Sequence, residues 1–210
     1  MEEEPSPRDD KKGWVWFIIG PTASGKTTVA SALAESLDFS YIEGDDFHNE
    51  ENINKVNRGI PLTDADRYEW LLKIREECCN QYDEGSRYIA VACCALKRKY
   101  RDTLREVSRN LAHMQVGFVC LDAPEDVVQK RAEHQHGHDI GEKVVHSQYT
   151  TLEPPGDDEE NILRADAMRG EERLKSDVMQ KIQDRMRLES KRTATSQKAK
   201  RDSKFDISMP

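Results

Sequence analysis

The sequence predicts a three-layer α/β fold: a central parallel sheet of about five strands, helices on both faces, and a lid segment. Three observations carry that expectation. Short, continuous apolar runs recur along the chain, as in strands buried on both faces. Between them the apolar residues switch to helical spacing, with charge on the opposite side. Strand and helix alternate four times, with no internal repeat.

Trp14 to Ile19 (WVWFII) is the first buried strand, and from Lys26 onward Ala30, Leu33, Ala34 and Leu37 line one face of a helix. Phe39 to Ile42 begins the second strand, which runs into EGDDFH; a loop with Asn, Gly and Pro is expected from there to Leu62. Thr63 is placed to cap a long helix, with Asp66 where a capping box has its acid, and Tyr68, Leu71, Leu72 and Ile74 lie along it. Tyr88 to Cys94 (YIAVACC) is a third buried strand, followed by a basic helix from about Lys97 to Leu111. Val116 to Leu121 is the fourth strand, and Pro124 starts the next helix where its missing N–H costs nothing. A fifth strand is expected near Asn161 to Ala165, weakened by Arg164.

A length of 210 residues suits one domain, expected over 13–184. Residues 1–12 and 185–210 are too polar to bury much and are expected to be disordered tails. The net charge of −8 is uneven: 185–204 holds eight Lys/Arg against two Asp/Glu, which leaves the body acidic. An acidic body argues against nucleic acid or a membrane surface as the main partner. No secretory signal opens the chain and no apolar run spans a bilayer, so a cytoplasmic protein is expected. Cys78, Cys79, Cys93, Cys94 and Cys120 fit neither metal spacing nor a disulfide framework, and read as reduced, mostly buried thiols. No residue pattern sets the oligomeric state; a homodimer is compatible with the sequence.

GPTASGKT, Gly20 to Thr27, satisfies G-x-x-x-x-G-K-[ST] between a buried strand and a helix start. Its glycines let backbone N–H groups turn inward around phosphates, at the positive end of the following helix. Gly20, Ala23, Ser24, Gly25, Lys26, Thr27 and Thr28 are the expected ATP and phosphate contacts. Lys26 reaches the β/γ-phosphates and Thr27 ligates Mg²⁺. The fold is therefore read as that of a P-loop NTPase. At the end of the second strand Asp45 should face these phosphates, because ligands bind outside the carboxyl ends of parallel strands. A carboxylate there accepts the proton of an attacking hydroxyl or holds Mg²⁺ through water. The alternative is that Asp45 and Asp46 merely end a strand in a turn. Past the third strand, Lys97 and Arg101 fall on one helix side, where they either bind an anionic group of the acceptor or form a solvated face.

Three stretches behind the P-loop, EGDDFHNEENINKVNRGIPLTDADRYEWL, ACCALKRKYRD and HSQYTTLEPP, strongly resemble gluconokinases of the P-loop type, relatives of shikimate and adenylate kinases. The resemblance runs from about Trp14 to Pro155 and is most specific over Gly44 to Leu71. It implies a P-loop kinase domain over 13–184, with a lid at about 131–148 that closes over ATP. The implied reaction is ATP- and Mg²⁺-dependent phosphorylation of D-gluconate, or a related sugar acid, at its 6-hydroxyl. Lys26, Asp45 and Arg131 would be the catalytic residues. Asp45, His48, Lys55, Arg67, Lys97, Arg101, His138 and Gln148 would line the acceptor, and Ser147 belongs to the same Ser-Gln motif. Arg67 has an alternative as a structural ion pair with Asp64 or Asp66.

The chain departs from the family at several positions. Gln135 stands where a second lid Arg is usual, Asp139 follows Gly137 and His138 where Phe is usual, and Cys94 replaces Ser. The last strand, which precedes the usual adenine loop, is weak after Asn161. His134, His136 and His138 raise a metal site, but their spacing in a Gly-containing loop argues against one. Two other readings stay open. The start GPTASGKT also resembles tRNA dimethylallyltransferases, though the acidic body lacks a tRNA-binding surface. A non-catalytic P-loop relic or sensor would explain the altered lid, but not the intact Lys26, Thr27 and Asp45.

Overall fold

The computed structural model describes residues 12–111, 113–134 and 142–205. Five strands form one wholly parallel sheet in the order β2-β3-β1-β4-β5. They are β1 (Gly13–Ile19), β2 (Ser40–Glu43), β3 (Tyr88–Cys93), β4 (Met114–Asp122) and β5 (Ile162–Asp166). The helices are α1 (Lys26–Leu37), α2 (Glu50–Asn57), α3 (Asp64–Asp83), α4 (Arg98–Arg105), α5 (Val107–Asn110), α6 (Glu125–His134), α7 (Glu142–Thr151) and α8 (Glu171–Phe205). Among the described residues no helix is long and apolar enough to cross a membrane.

Every residue of β1 is buried, because β1 lies in the middle of the sheet with helices over both faces. Val15, Phe17 and Ile19 pack with Ile74, Leu104 and Phe118 on the side of α3, α4 and α5. Trp14, Trp16 and Ile18 pack with Leu33, Val178 and Ile182 on the side of α1 and α8. A continuous apolar run is what a strand covered on both faces requires. All five cysteines are free, and Cys78, Cys93, Cys94 and Cys120 are buried.

Three features differ from the sequence expectations. The loop expected between β2 and Leu62 contains a 3₁₀ turn, Gly44–Phe47, and all of α2. Asn49 caps α2 by accepting from the Asn52 N–H at 2.8 Å, and Glu50, Glu51 and Lys55 suit the helix dipole at each end. The basic helix after β3 is two helices, α4 and the short α5, meeting at Glu106. The expected β5 does form in spite of Arg164, whose exposed side chain lies at the sheet edge and bonds Pro155 O at 2.8 Å. Finally, 185–205, expected to be disordered, continues α8. That stretch has no Gly or Pro and is rich in Arg and Lys, so a helix nucleated on the core extends through it without a second nucleation. Residues 1–11 and 206–210 of the expected tails lie outside the described residues.

Arg101 also departs from expectation. It does not face the cleft: its Nε and Nη2 form a fork on Glu159 at 2.8 and 2.6 Å, and its Nη1 donates to Glu153 O at 3.0 Å. Both side chains are almost wholly buried, so the charge is matched inside the protein and unavailable to an acceptor. Arg105 at 3.0 Å and the Gly156 N–H at 3.1 Å complete the acceptor sites of Glu159. The cluster fastens α4 to the segment leading into β5. Burial alone would raise the Glu159 pKa; the Arg101 fork, Gly156 N–H and Arg105 outweigh it and hold the carboxyl at about 2.

Glu159→Gln leaves Arg101 buried without a counter-charge and is expected to cost about 3 kcal/mol in urea unfolding at neutral pH. Folded Glu159 titrates below an ordinary carboxyl, so its contribution is complete above about pH 4.3 and disappears as pH falls toward 2. Wild-type stability should therefore fall more steeply than that of the variant across this window; parallel acid profiles would assign the stability elsewhere.

Candidate active site

The loop from Gly20 to Gly25 leaves the end of β1 and turns directly into α1. Ala23 (φ 58°) and Gly25 (φ 100°) both adopt left-handed backbone, and Gly25 caps α1 without any side-chain acceptor. The first N–H groups of α1, those of Lys26, Thr27 and Thr28, therefore keep no side-chain cap at the positive helix end. Ser24 is fully buried and its hydroxyl has no hydrogen-bond partner among the described residues. Lys26 is 7% exposed and donates to Pro21 O at 2.9 Å. Burial opposes its charge, but Cys94, Asp45 and Glu43 together hold its pKa above the ordinary value. Open N–H groups, an orphaned hydroxyl and a buried ammonium on one loop make a receptor for phosphate.

This loop is braced from the far side of the sequence. Gln148 on α7 accepts from the Thr22 N–H at 2.7 Å and donates to the Thr22 hydroxyl at 2.9 Å. It was expected on the acceptor side; instead its amide is used in holding the phosphate loop, and it is 7% exposed. Arg131, near the end of α6, donates to Ala167 O just beyond β5 at 2.7 Å. A cavity of about 350 Å³ opens beside Gly20, between the ends of β4 and β5, and is lined by Pro21, Asp122, Ala123, Leu152 and Met168.

Across from the loop, the 3₁₀ turn after β2 is seated against β3. A Cβ at Gly44 would stand 2.4 Å from Ala92 O, so only glycine allows this approach. Trp70 on α3 fastens the turn by donating to Gly44 O at 2.6 Å, and its ring stacks on His48 at 4.5 Å between centroids. Burial on this ring lowers the His48 pKa, leaving a neutral imidazole whose buried Nδ1 has no partner among the described residues. Asp45 is exposed; its Oδ1 lies 3.9 Å from His48 Nε2, and its charge is felt at Lys26. Arg67 is 7% exposed, lies over the Tyr100 ring at 5.9 Å, and makes no ion pair with a described residue. Neither acid offered as its structural partner is free: Asp64 takes Lys97, Lys99 and Tyr100, and Asp66 takes Lys55 and the Thr63 cap.

The same bonds revise two expected acceptor residues. Lys97 donates to Asp64 at 2.8 Å, and Lys55 bridges Glu51 and Asp66 at 2.8 Å each, tying α2 to the capping box of α3. Their charges are neutralised within the protein. His138, with Gln135, His136, Gly137 and Asp139, lies outside the described residues.

Glu43, at the end of β2, went unremarked in the sequence. Its Oε2 accepts from the Thr27 hydroxyl at 2.8 Å. A P-loop hydroxyl that gives its proton to a carboxylate turns its lone pairs outward, toward a cation. Thr27, Glu43 and Asp45 offer oxygen only, and no cluster of three His, Cys, Asp or Glu occurs among the described residues. Few protein oxygens beside a phosphate site suit a small hard divalent cation that keeps its water.

A family model described as an AAA domain matches residues 15–155. A probable gluconokinase of Schizosaccharomyces pombe is 36% identical over 177 residues, covering 83% of this chain and 90% of that protein. The thermosensitive gluconokinase of Escherichia coli is 35% identical over 154 residues, covering 73% and 79%. The crystal structure of a gluconokinase from Sinorhizobium meliloti superposes with a TM-score of 0.68 at 34% identity, covering 79% of this chain and 89% of that one.

Gln148→Ala removes both bonds to Thr22 and is expected to weaken binding of a fluorescent nucleotide about tenfold, as two ordinary hydrogen bonds would. Titration of the variant checks this; unchanged affinity would mean that the loop holds its shape unaided.

Proposed function

The chain belongs to the gluconokinase family of P-loop kinases, and on that footing we propose that it transfers the γ-phosphoryl group of ATP to the 6-hydroxyl of D-gluconate, giving 6-phospho-D-gluconate and ADP. The observation that carries the acceptor is Arg67. A buried guanidinium without an ion pair is costly unless a ligand supplies the anion, and its planar fork matches a carboxylate. Gluconate combines one carboxylate with a row of hydroxyls. His48, neutral and with an unpartnered ring nitrogen, suits the hydroxyls. The readings as a tRNA-modifying enzyme or a non-catalytic relic gain nothing from relatives that are gluconokinases over most of their length.

In the reaction the 6-hydroxyl oxygen bonds to the γ-phosphorus as the bond from that phosphorus to the β–γ bridging oxygen breaks, and ADP leaves. Asp45 orients the hydroxyl and takes its proton. The open N–H groups of the loop and the Ser24 hydroxyl hold the phosphates, while Lys26 offsets charge on the β/γ oxygens. Arg131, with one N–H group on Ala167 O and no other partner among the described residues, would offer its remaining N–H groups to phosphate. Thr27, with Glu43 and Asp45 through water, would hold Mg²⁺, which would supply charge neutralisation on the phosphates.

ADP release from Mg·ATP should require D-gluconate and vanish in Lys26→Ala. A panel of sugar acids and shikimate decides the acceptor, and silence across it would defeat the proposal. Asp45→Asn should lower kcat about 100-fold or more while sparing nucleotide binding. Arg67→Ala should raise the KM for gluconate about 30-fold or more; an Arg67→Ala enzyme with wild-type KM would move the carboxylate elsewhere.

A further inference from the structure

Glu43 is held by more than Thr27. Tyr41 lies two residues earlier on β2, so both side chains leave the same face of the strand, here the face toward α1. The Tyr41 hydroxyl donates to Glu43 Oε2 at 2.6 Å, the same oxygen that Thr27 reaches at 2.8 Å. Among the described residues the other oxygen is offered only the Asp45 N–H, at 3.4 Å. Glutamate has three side-chain torsions, and Glu43 is only half-buried, so one bond to Thr27 does not fix its head. Tyrosine adds a stiff ring that turns on two torsions, anchored in a strand that pairs with β3.

We propose that Tyr41 is a positioning residue for the divalent-cation side of the nucleotide site. By holding Glu43 Oε2 it keeps the proton of Thr27 directed at that oxygen, and so keeps the Thr27 lone pairs directed at the cation. Tyr41 itself touches neither metal nor substrate. Partners of metal-site ligands usually contribute measurably to metal affinity, and a partly exposed one at the low end of the range. The inference rests on reading the loop as a metal–nucleotide site, but not on the identity of the acceptor.

The test is Mn²⁺ binding to the protein–ADP complex by electron paramagnetic resonance, without gluconate. Tyr41→Phe removes one oxygen and keeps the ring. It should weaken Mn²⁺ about 3- to 10-fold while leaving metal-free ADP affinity and the melting temperature close to wild type. In a Glu43→Ala background the same change should have almost no further effect, because its route is gone. Unchanged Mn²⁺ affinity in Tyr41→Phe overturns the proposal. So does a loss that adds fully to that of Glu43→Ala, since Tyr41 would then act without Glu43. Absence of gluconate turnover would refute the proposed acceptor and leave this measurement standing; absence of Mn·ADP binding to wild type would remove both.

Discussion

The Lys26 ammonium is a positive charge kept inside the protein, and the rest of the site follows from the need to keep it there. An isolated buried ammonium would shed its proton. Here β1 delivers it to the middle of the sheet, Pro21 O accepts from it, and the ends of β2 and β3 bring Glu43, Asp45 and Cys94 alongside. The strand order β2-β3-β1 makes this meeting possible, because the carboxyl ends of those strands stand side by side. Those same carboxylates are the ones best placed to handle a cation and a hydroxyl proton. One electrostatic requirement thus links the stability of the loop to its chemistry.

On the acceptor side the economy of charge runs the opposite way. The long basic stretch after β3 looks generous, yet Lys97, Lys99, Arg98, Arg101 and Arg105 are each matched by an acid. Among the described residues Arg67 is left without such a match. Selectivity for an anion is sharper with one unmatched guanidinium in a dry place than with many solvated cations, because water and salt screen the latter.

How far the sequence was legible depends on the distance over which each interaction acts. β1, the phosphate loop and the Thr63–Asp66 capping box are decided within a few residues, and all three were readable. α2 was missed because Asn49 sits among Asn, Gly and Pro residues that equally signal a loop. The fate of Arg101 depends on Glu159, and that of Gln148 on Thr22; neither partner is near in the chain, so spacing carried no sign of them. Glu43 was overshadowed by two aspartates that follow it, although as the last residue of a strand beside the loop it had the better position. The helical extension past residue 185 shows composition misleading in the other direction: polarity deprives a segment of a core, but does not stop a helix that began on one.

The bonds from Arg131 to Ala167 and from Gln148 to Thr22 have a consequence for how the protein tolerates change. They tie both flanks of the segment between α6 and α7 to backbone that the sheet holds in place. Each bond joins a helix far along the chain to backbone at the carboxyl edge of the sheet, so a displacement of α6 is felt at the end of β5 and a displacement of α7 at the phosphate loop. Substitutions on either helix that leave the fold intact can therefore still change how the loop meets its ligand.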